Sequence, residues 1–295
     1  MTQTAQREPN FLSSSSAEAV LAENLGEAAF ATTLAKGLVV LEAFEGGATL
    51  LGNMELSART GISRPTVARL THTLGELGYL RYDKAVAKYR LGVRALRMAH
   101  PILAGMQFRQ FARPLMQQLA ESVRGTVSIG LLDATAMIYV ETARSGDVGP
   151  HIPDIGMPIP VISTAMGRAA SALLPATEFA RLEKRMKTEN AGIWSSYREK
   201  YREGLRQCSD WGFCTCYGEY MPSIHAVAAP LFYVGASNQS FAINCGIPAF
   251  RLQPGQLEAE IGPRIKALAV SIRSLVNAPE PAMELREQHK KKTTK

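Results

Sequence analysis

Basic side chains are concentrated in one segment of this chain, where they could bind a polyanion. Residues 59–97 contain nine lysines and arginines and two acidic residues, and this excess of seven equals the net charge of the whole chain. Clustered Lys and Arg favour DNA because they release counterions from its phosphates. Basic patches also bind membranes and RNA, so DNA is not the only possible partner. An ordinary solvated surface would instead have its basic residues distributed along the chain.

The same segment has the pattern of a winged helix-turn-helix. A short helical pattern ends at a glycine-containing turn, Thr60-Gly61-Ile62-Ser63, and a second helix opens at Arg64-Pro65. In the second helix, Val67, Leu70, Leu74 and Leu77 form one apolar stripe at about 100° per residue, which predicts a buried face. A basic hairpin follows and ends at Leu91. The sequence therefore predicts three helices and a wing.

The start of the second helix holds the candidate base-reading residues. Ser63 stands at the N-cap, where its hydroxyl could accept a backbone N–H, and Pro65 is tolerated in a first turn. A recognition helix reads bases mainly through its N-terminal residues, and an arginine can bind guanine bidentately. The predicted DNA contacts are Ser63, Arg64, Pro65, Thr66, Arg69 and His72 from the helix, with Arg81, Lys88 and Arg90 from the wing.

Two of these residues have competing interpretations. Arg69 could contact a base directly, or it could bind a phosphate or form a surface ion pair. For His72 an ordinary surface position is the favoured interpretation.

Length and patterning predict an α+β protein of two domains. A winged helix-turn-helix domain spans residues 32–93, and a linker helix spans residues 94–107. Residues 108–277 form a second domain with an antiparallel sheet and flanking helices. A flexible arm is expected at residues 1–31 and a disordered basic tail at residues 278–295.

Several runs closely resemble the isocitrate lyase regulator (IclR) family. The N-terminal runs are residues 34–44, Arg59 to Leu70, Leu77-Gly78-Tyr79-Leu80 and Tyr89-Arg90-Leu91-Gly92. The later runs are Gly156 to Pro160, Thr164 to Ala169, Gly218-Glu219-Tyr220 and Ala226 to Pro230. The resemblance covers residues 32–276 and implies a GAF-like sensor domain. The family often ends a late strand in Ser-Gly, where this chain has Asn244-Cys245-Gly246.

The resemblance implies that the second domain binds a small organic acid, aromatic acids included, and that the protein is a ligand-responsive regulator of operator DNA, as a homodimer or homotetramer. The implied effector-binding residues are Ser163, Thr164, Ala165, Met166, Gly167, Cys216, Glu219, Ile224, Ala226, Ile243 and Cys245. From the residues alone, a helix starting near Ser163 could present free N–H groups to an anion, or Ser163 or Thr164 could simply cap it. Met166, Ile224 and Ile243 could equally be core residues.

Other classes of function have weaker support. An enzyme with an accessory DNA-binding domain could use Cys216 or Cys214 as nucleophile with His225 as base, but no nucleophile motif surrounds them. A purely architectural DNA-binding protein would not need a large second domain. The four cysteines lack zinc-site spacing, so we expect neither a metal nor a cofactor. We also expect no membrane span and, without a signal-peptide pattern, a cytoplasmic location.

Overall fold

The structure is a computed structural model, and it describes residues 21–22, 24, 29–45, 47–146 and 153–276. Most of the predicted arm at residues 1–31 and all of the predicted tail at residues 278–295 lie outside these ranges. The chain divides into two compact units, the first ending at Met106 and the second beginning at Gln107. No helix among the described residues is long and apolar enough to cross a membrane.

The first unit is a winged helix-turn-helix. Its helices are α1 (Thr32–Glu42), α2 (Asn53–Thr60), α3 (Arg64–Glu76) and α4 (Val93–Gly105), and its strands are β1 (Leu80–Asp83) and β2 (Lys88–Leu91). Gly61 ends α2 with a left-handed backbone (φ 66°), which glycine adopts without steric cost. The strands pair antiparallel and form the wing. Helix α4 occupies the segment predicted as a linker and has no buried residue.

The core of this unit corrects two details of the sequence reading. Val67 and Leu70 are buried as predicted, and Leu74 packs against the same core. Leu77, the fourth member of the predicted stripe, is 47% exposed, because it follows the end of α3. Leu21 packs against this core, so at least one residue of the predicted flexible arm is held by the domain.

The second unit is built on a six-stranded antiparallel sheet. Its strands are β3 (Thr126–Asp133), β4 (Ala136–Arg144), β5 (Pro158–Pro160), β6 (Cys214–Tyr217), β7 (Ile224–Val234) and β8 (Gln239–Pro248). Its helices are α5 (Phe108–Val123), α6 (Ala165–Ser171), α7 (Ala176–Glu189), α8 (Ala191–Trp211), a π-helix (Leu257–Ile261) and α9 (Gly262–Leu275). The strand order is β5-β4-β3-β8-β7-β6. The predicted α+β class is confirmed.

The two faces of the sheet carry different helices. Helix α5 lies on one face, where Arg109 and Arg113 bind the buried Glu141 of β4, and α9 packs against α5. Helix α6 covers the opposite face, where Ser240 of β8 donates a hydrogen bond to the carbonyl of Ala170. Since successive strand residues point to opposite faces, each strand position is assigned to one of these two environments.

Candidate functional site

The first candidate surface is the exposed face of α3. Ser63, Arg64, Pro65, Arg69 and His72 are all exposed, and Thr66 is half-buried, so the structure brings the predicted residues together on one face. In the described part of the chain, no side-chain hydrogen bond or ion pair engages the guanidinium of Arg64 or Arg69, which leaves both available for a ligand.

The predicted capping role of Ser63 is wrong. Ser63 does occupy the N-cap position, but its hydroxyl hydrogen-bonds the hydroxyl of Thr66 at 2.9 Å, and its side chain makes no capping bond to a backbone N–H. The two hydroxyls instead form a polar pair at the N-terminal end of α3.

The wing carries less free charge than the sequence suggested. Lys88 Nζ lies 2.7 Å from Glu55 Oε1, and Arg90 forms an ion pair with Asp83. Glu55 also accepts the backbone N–H of Gly52, and this bond, followed by Lys88, lowers the pKa of Glu55. Two of the three predicted wing contacts are therefore already paired with carboxylates.

Other cations of the segment differ in their surroundings. Arg81 and Lys84 are exposed, and among the described residues neither has an ion-pair partner. Lys84 belongs to the predicted basic segment, although it was not among the predicted contacts. Arg59 donates to the carbonyl of Ala43 at 2.9 Å, which joins α2 to the end of α1. Arg81 and Lys84 are thus the wing cations most available to phosphates.

The second candidate site is a cavity between α6 and the sheet. It encloses about 680 Å³ of space outside protein atoms, a figure that includes open solvent at its mouth. The described lining residues come from all six strands, α6 and the loops beside them: Thr126, Ser128, Tyr139, Pro153, Ile159, Thr164, Ala165, Cys216, Tyr220, Met221, Ile224, Ala226, Asn244 and Gly246.

Five of the predicted effector residues line this cavity: Thr164, Ala165, Cys216, Ile224 and Ala226. Their contact with a ligand stays a prediction. The prediction was wrong about β8, because Ile243 and Cys245 share a face as expected but that face is turned away from the cavity. Asn244 and Gly246 line it instead. Burial raises the pKa of Cys245 to about 12, and the nearby charge of Arg264 in α9 partly opposes this rise. The influence of Arg264 agrees with a position of Cys245 on the face of the sheet that α9 covers.

The start of α6 is capped rather than open. Thr164 Oγ1 accepts the backbone N–H of Gly167 at 3.2 Å and donates to the carbonyl of Pro160 at 2.6 Å. Of the two interpretations of this helix start, an anion site or a simple cap, the structure therefore shows the cap. Helix α6 is also short, with seven residues. Ser163, Met166 and Gly167 are buried and do not line the cavity. Gly167 packs on the backbone of Val161, where a Cβ would lie 2.2 Å from the carbonyl oxygen.

Glu219 lies behind the cavity wall and not on it. Its Oε2 accepts the thiol of Cys216 at 2.6 Å, and its Oε1 lies 3.4 Å from Arg168 Nη2 and 3.7 Å from Lys200 Nζ. Burial opposes its ionisation, but Arg168, Cys216 and Lys200 outweigh burial, so the pKa of Glu219 is lowered. The sequence argument that a buried carboxylate must be paired was correct, with Arg168 as the partner.

The cysteine–histidine pair required by the enzyme alternative does not form. In the β6–β7 register Cys216 lies opposite Ala226 and Tyr217 lies opposite His225, so Cys216 and His225 are on opposite faces of the sheet. Burial raises the pKa of the Cys216 thiol to about 12, and Cys214 donates to the carbonyl of Ala165. Neither thiol is activated by His225.

Most polar residues that line the cavity were not among the residues predicted from the sequence to bind the effector. Thr126, Ser128 and Asn244 come from β3 and β8, which are neighbours in the sheet although far apart in sequence. One signal was available in the sequence, the polar Asn244 within the otherwise apolar run from Phe241 to Pro248.

Family models match both units. The "IclR helix-turn-helix domain" matches residues 33–84, and the "Bacterial transcriptional regulator IclR C-terminal" matches residues 100–274. The chain belongs to the IclR family. It is therefore a DNA-binding transcriptional regulator of the IclR type.

Relatives support the same assignment. An IclR family regulator from Brucella abortus is 34% identical, with 83% of this chain and 92% of that chain covered and a TM-score of 0.76. The regulator TsaQ1/TsaQ2 of Comamonas testosteroni is 26% identical, with 84% and 90% covered. The p-hydroxybenzoate hydroxylase transcriptional activator of Acinetobacter baylyi is 26% identical, with 82% and 91% covered.

Proposed function

We propose that this IclR regulator responds to a small organic acid with a flat, aromatic body, and that the acid binds in the cavity between α6 and the sheet. The observation that carries the proposal is the lining of the cavity, which combines aromatic and aliphatic side chains with a few polar groups, as small-molecule sites do. Binding changes the affinity for operator DNA if the acid has different affinities for two states of the protein.

The apolar part of the lining suits a flat ring. Tyr139 and Tyr220 contribute aromatic surfaces, and Ile159, Ile224 and Met221 contribute aliphatic and thioether surface. Aromatic side chains pack favourably against ligand rings in offset or edge-on arrangements, so an aromatic acid would bury most of its surface here.

The polar groups suit a carboxylate. Thr126 supplies a hydroxyl, and burial keeps the Tyr139 hydroxyl protonated by raising its pKa. Behind Cys216, Arg168 forms a buried ion pair with Glu219, and the largely exposed Lys200 lies 3.7 Å from the same carboxylate.

A relative points to the same class of ligand. The name of the Acinetobacter baylyi relative ties it to p-hydroxybenzoate hydroxylase, an enzyme of aromatic acid chemistry. Because that relative is 26% identical over 82% of this chain, an effector of the same chemical class is a reasonable inference for this regulator.

For DNA binding, we propose that Arg64 and Arg69 reach base edges while Arg81 and Lys84 bind phosphates. Two copies in a homodimer or homotetramer would present two α3 helices to two half-sites of an operator.

The experiment is a thermal-shift screen of the whole chain with small carboxylic and aromatic acids, followed by a mobility-shift assay on the DNA upstream of its gene. An acid at one hundred times its Kd should stabilise the protein by about 2.7 kcal/mol, which raises Tm by about 5–10 °C. The acid should also change the fraction of specific DNA bound. The proposal fails if no acid changes either quantity.

Gly246→Val tests the position of the site. A Cβ at Gly246 would meet only Ile224 Cγ2, at 3.4 Å, so the larger side chain enters the cavity with little strain. The variant should keep DNA binding and lose the thermal shift. Gly192→Val is the matched control, since a Cβ at Gly192 meets only Asn190 Oδ1 at 3.6 Å and Gly192 is not a lining residue.

A further inference from the structure

Asn244 is a buried polar residue in the wall of the cavity. It lies in the middle of β8, which pairs with β3 on one side and β7 on the other. Asn244 is 9% exposed, and its Oδ1 atom is buried without a hydrogen-bond partner. Its side chain lines the cavity.

The sheet itself does not explain this asparagine. Asparagine is depleted in strands and normally caps helices or forms turns, and Asn244 does neither. The residue directly opposite on β7 is Ala228, which has no polar side chain, and the residue opposite on β3 is Ser128. The hydroxyl of Ser128 is already bonded to that of Thr142, at 3.1 Å.

The unpartnered Oδ1 of Asn244 could accept a hydrogen bond from a donor group of a ligand. A buried polar group without a partner destabilises the empty protein, and a ligand hydroxyl would remove that cost. A methyl group has nearly the same size as a hydroxyl but cannot donate, so a site of this kind discriminates strongly between the two.

We propose that Asn244 is a specificity-determining residue that accepts a hydrogen bond from a hydroxyl group of the effector. The proposal rests on the proposed function and narrows its ligand class to hydroxylated acids. The apolar body then packs against lining residues such as Tyr139 and Ile224.

The test uses benzoate, its three monohydroxy derivatives and the three toluates, which carry methyl in place of hydroxyl. Calorimetric titration of the whole chain should show at least one hydroxybenzoate bound about ten- to a hundred-fold more tightly than the matching toluate. Asn244→Leu should abolish this preference. It should also raise Tm of the ligand-free protein by about 2–4 °C, because an apolar side chain of similar size removes the unpartnered amide.

Ile243→Val is the matched control, because Ile243 is the neighbour on the opposite face of β8. It should lower Tm through a lost methylene and leave the preference for hydroxyl intact. Equal binding of hydroxybenzoates and toluates by the wild type, a preference that survives in Asn244→Leu, or a lower Tm of ligand-free Asn244→Leu would each overturn the assignment of Asn244 while the proposed function stands. If no acid of this panel binds the wild type, this inference fails, while the proposed function is still decided by the wider screen of acids.

Discussion

Release of Lys88 from its ion pair should strengthen the salt dependence of DNA binding. Glu55 holds Lys88 at 2.7 Å, so in the wild type this cation is not free to neutralise a phosphate. Glu55→Gln removes the charge but keeps an acceptor for the backbone N–H of Gly52, and glutamine serves in a capping box as glutamate does. The substitution therefore changes the charge of the wing and preserves α2.

The expected magnitude follows from counterion release. One additional phosphate contact steepens the slope of log K against log salt by about 0.9. When salt rises four-fold, from about 50 to about 200 mM, Glu55→Gln should therefore lose about 3.5-fold more affinity than the wild type. At the lower salt it should bind DNA more tightly, whatever the DNA sequence, since phosphates carry no sequence information.

Fluorescence anisotropy with a labelled duplex at four or more salt concentrations measures this slope. Glu76→Gln is the matched control, because Glu76 is an exposed carboxylate of the same domain without a partner in the described residues. The double variant Glu55→Gln/Lys88→Ala should return to the wild-type slope. Equal slopes for the two single glutamine variants would refute the reasoning, because only a general charge effect would then remain.

Three further outcomes are expected. Glu219→Gln should destabilise the protein by about 3–5 kcal/mol in urea unfolding, because Arg168 is left buried without its carboxylate. The pKa of Glu219 is lowered in the folded protein, so its contribution to the free energy of unfolding is present above the ordinary carboxyl range and lost on acidification. The difference in this free energy between the variant and the wild type should therefore shrink below about pH 4.5. A difference that stays constant with pH would argue against the ion pair. Arg69→Ala should cost about 1–3 kcal/mol for operator DNA and little for random DNA, whereas Arg81→Ala should weaken both alike, and equal losses in filter binding would exclude base reading by Arg69. Gly204→Ala should lower stability by about 1–3 kcal/mol, because its Cβ would lie 2.4 Å from Arg168 Cδ; an unchanged unfolding midpoint would contradict this packing.

The DNA-binding unit was largely predictable because its signals are local. Gly61 and Pro65 mark the end of one helix and the start of the next, and the spacing of Val67 and Leu70 marks the buried face of α3. Each signal acts within one or two helical turns. The bond that replaced the predicted cap, Ser63 to Thr66, was not predictable, since both hydroxyls have several acceptors within reach.

The sequence by itself determined the family, the two-domain α+β organisation and the face of α3 that is exposed. Only the tertiary structure decided which side chains share the cavity and which charges are free. A period of two places Ile243 and Cys245 on one face of β8 but does not say which face, because that depends on the strands and helices that pack against it. Likewise, Lys88 and Glu55 are 33 residues apart, and no local pattern specifies a pair whose members meet only after the wing has folded onto α2.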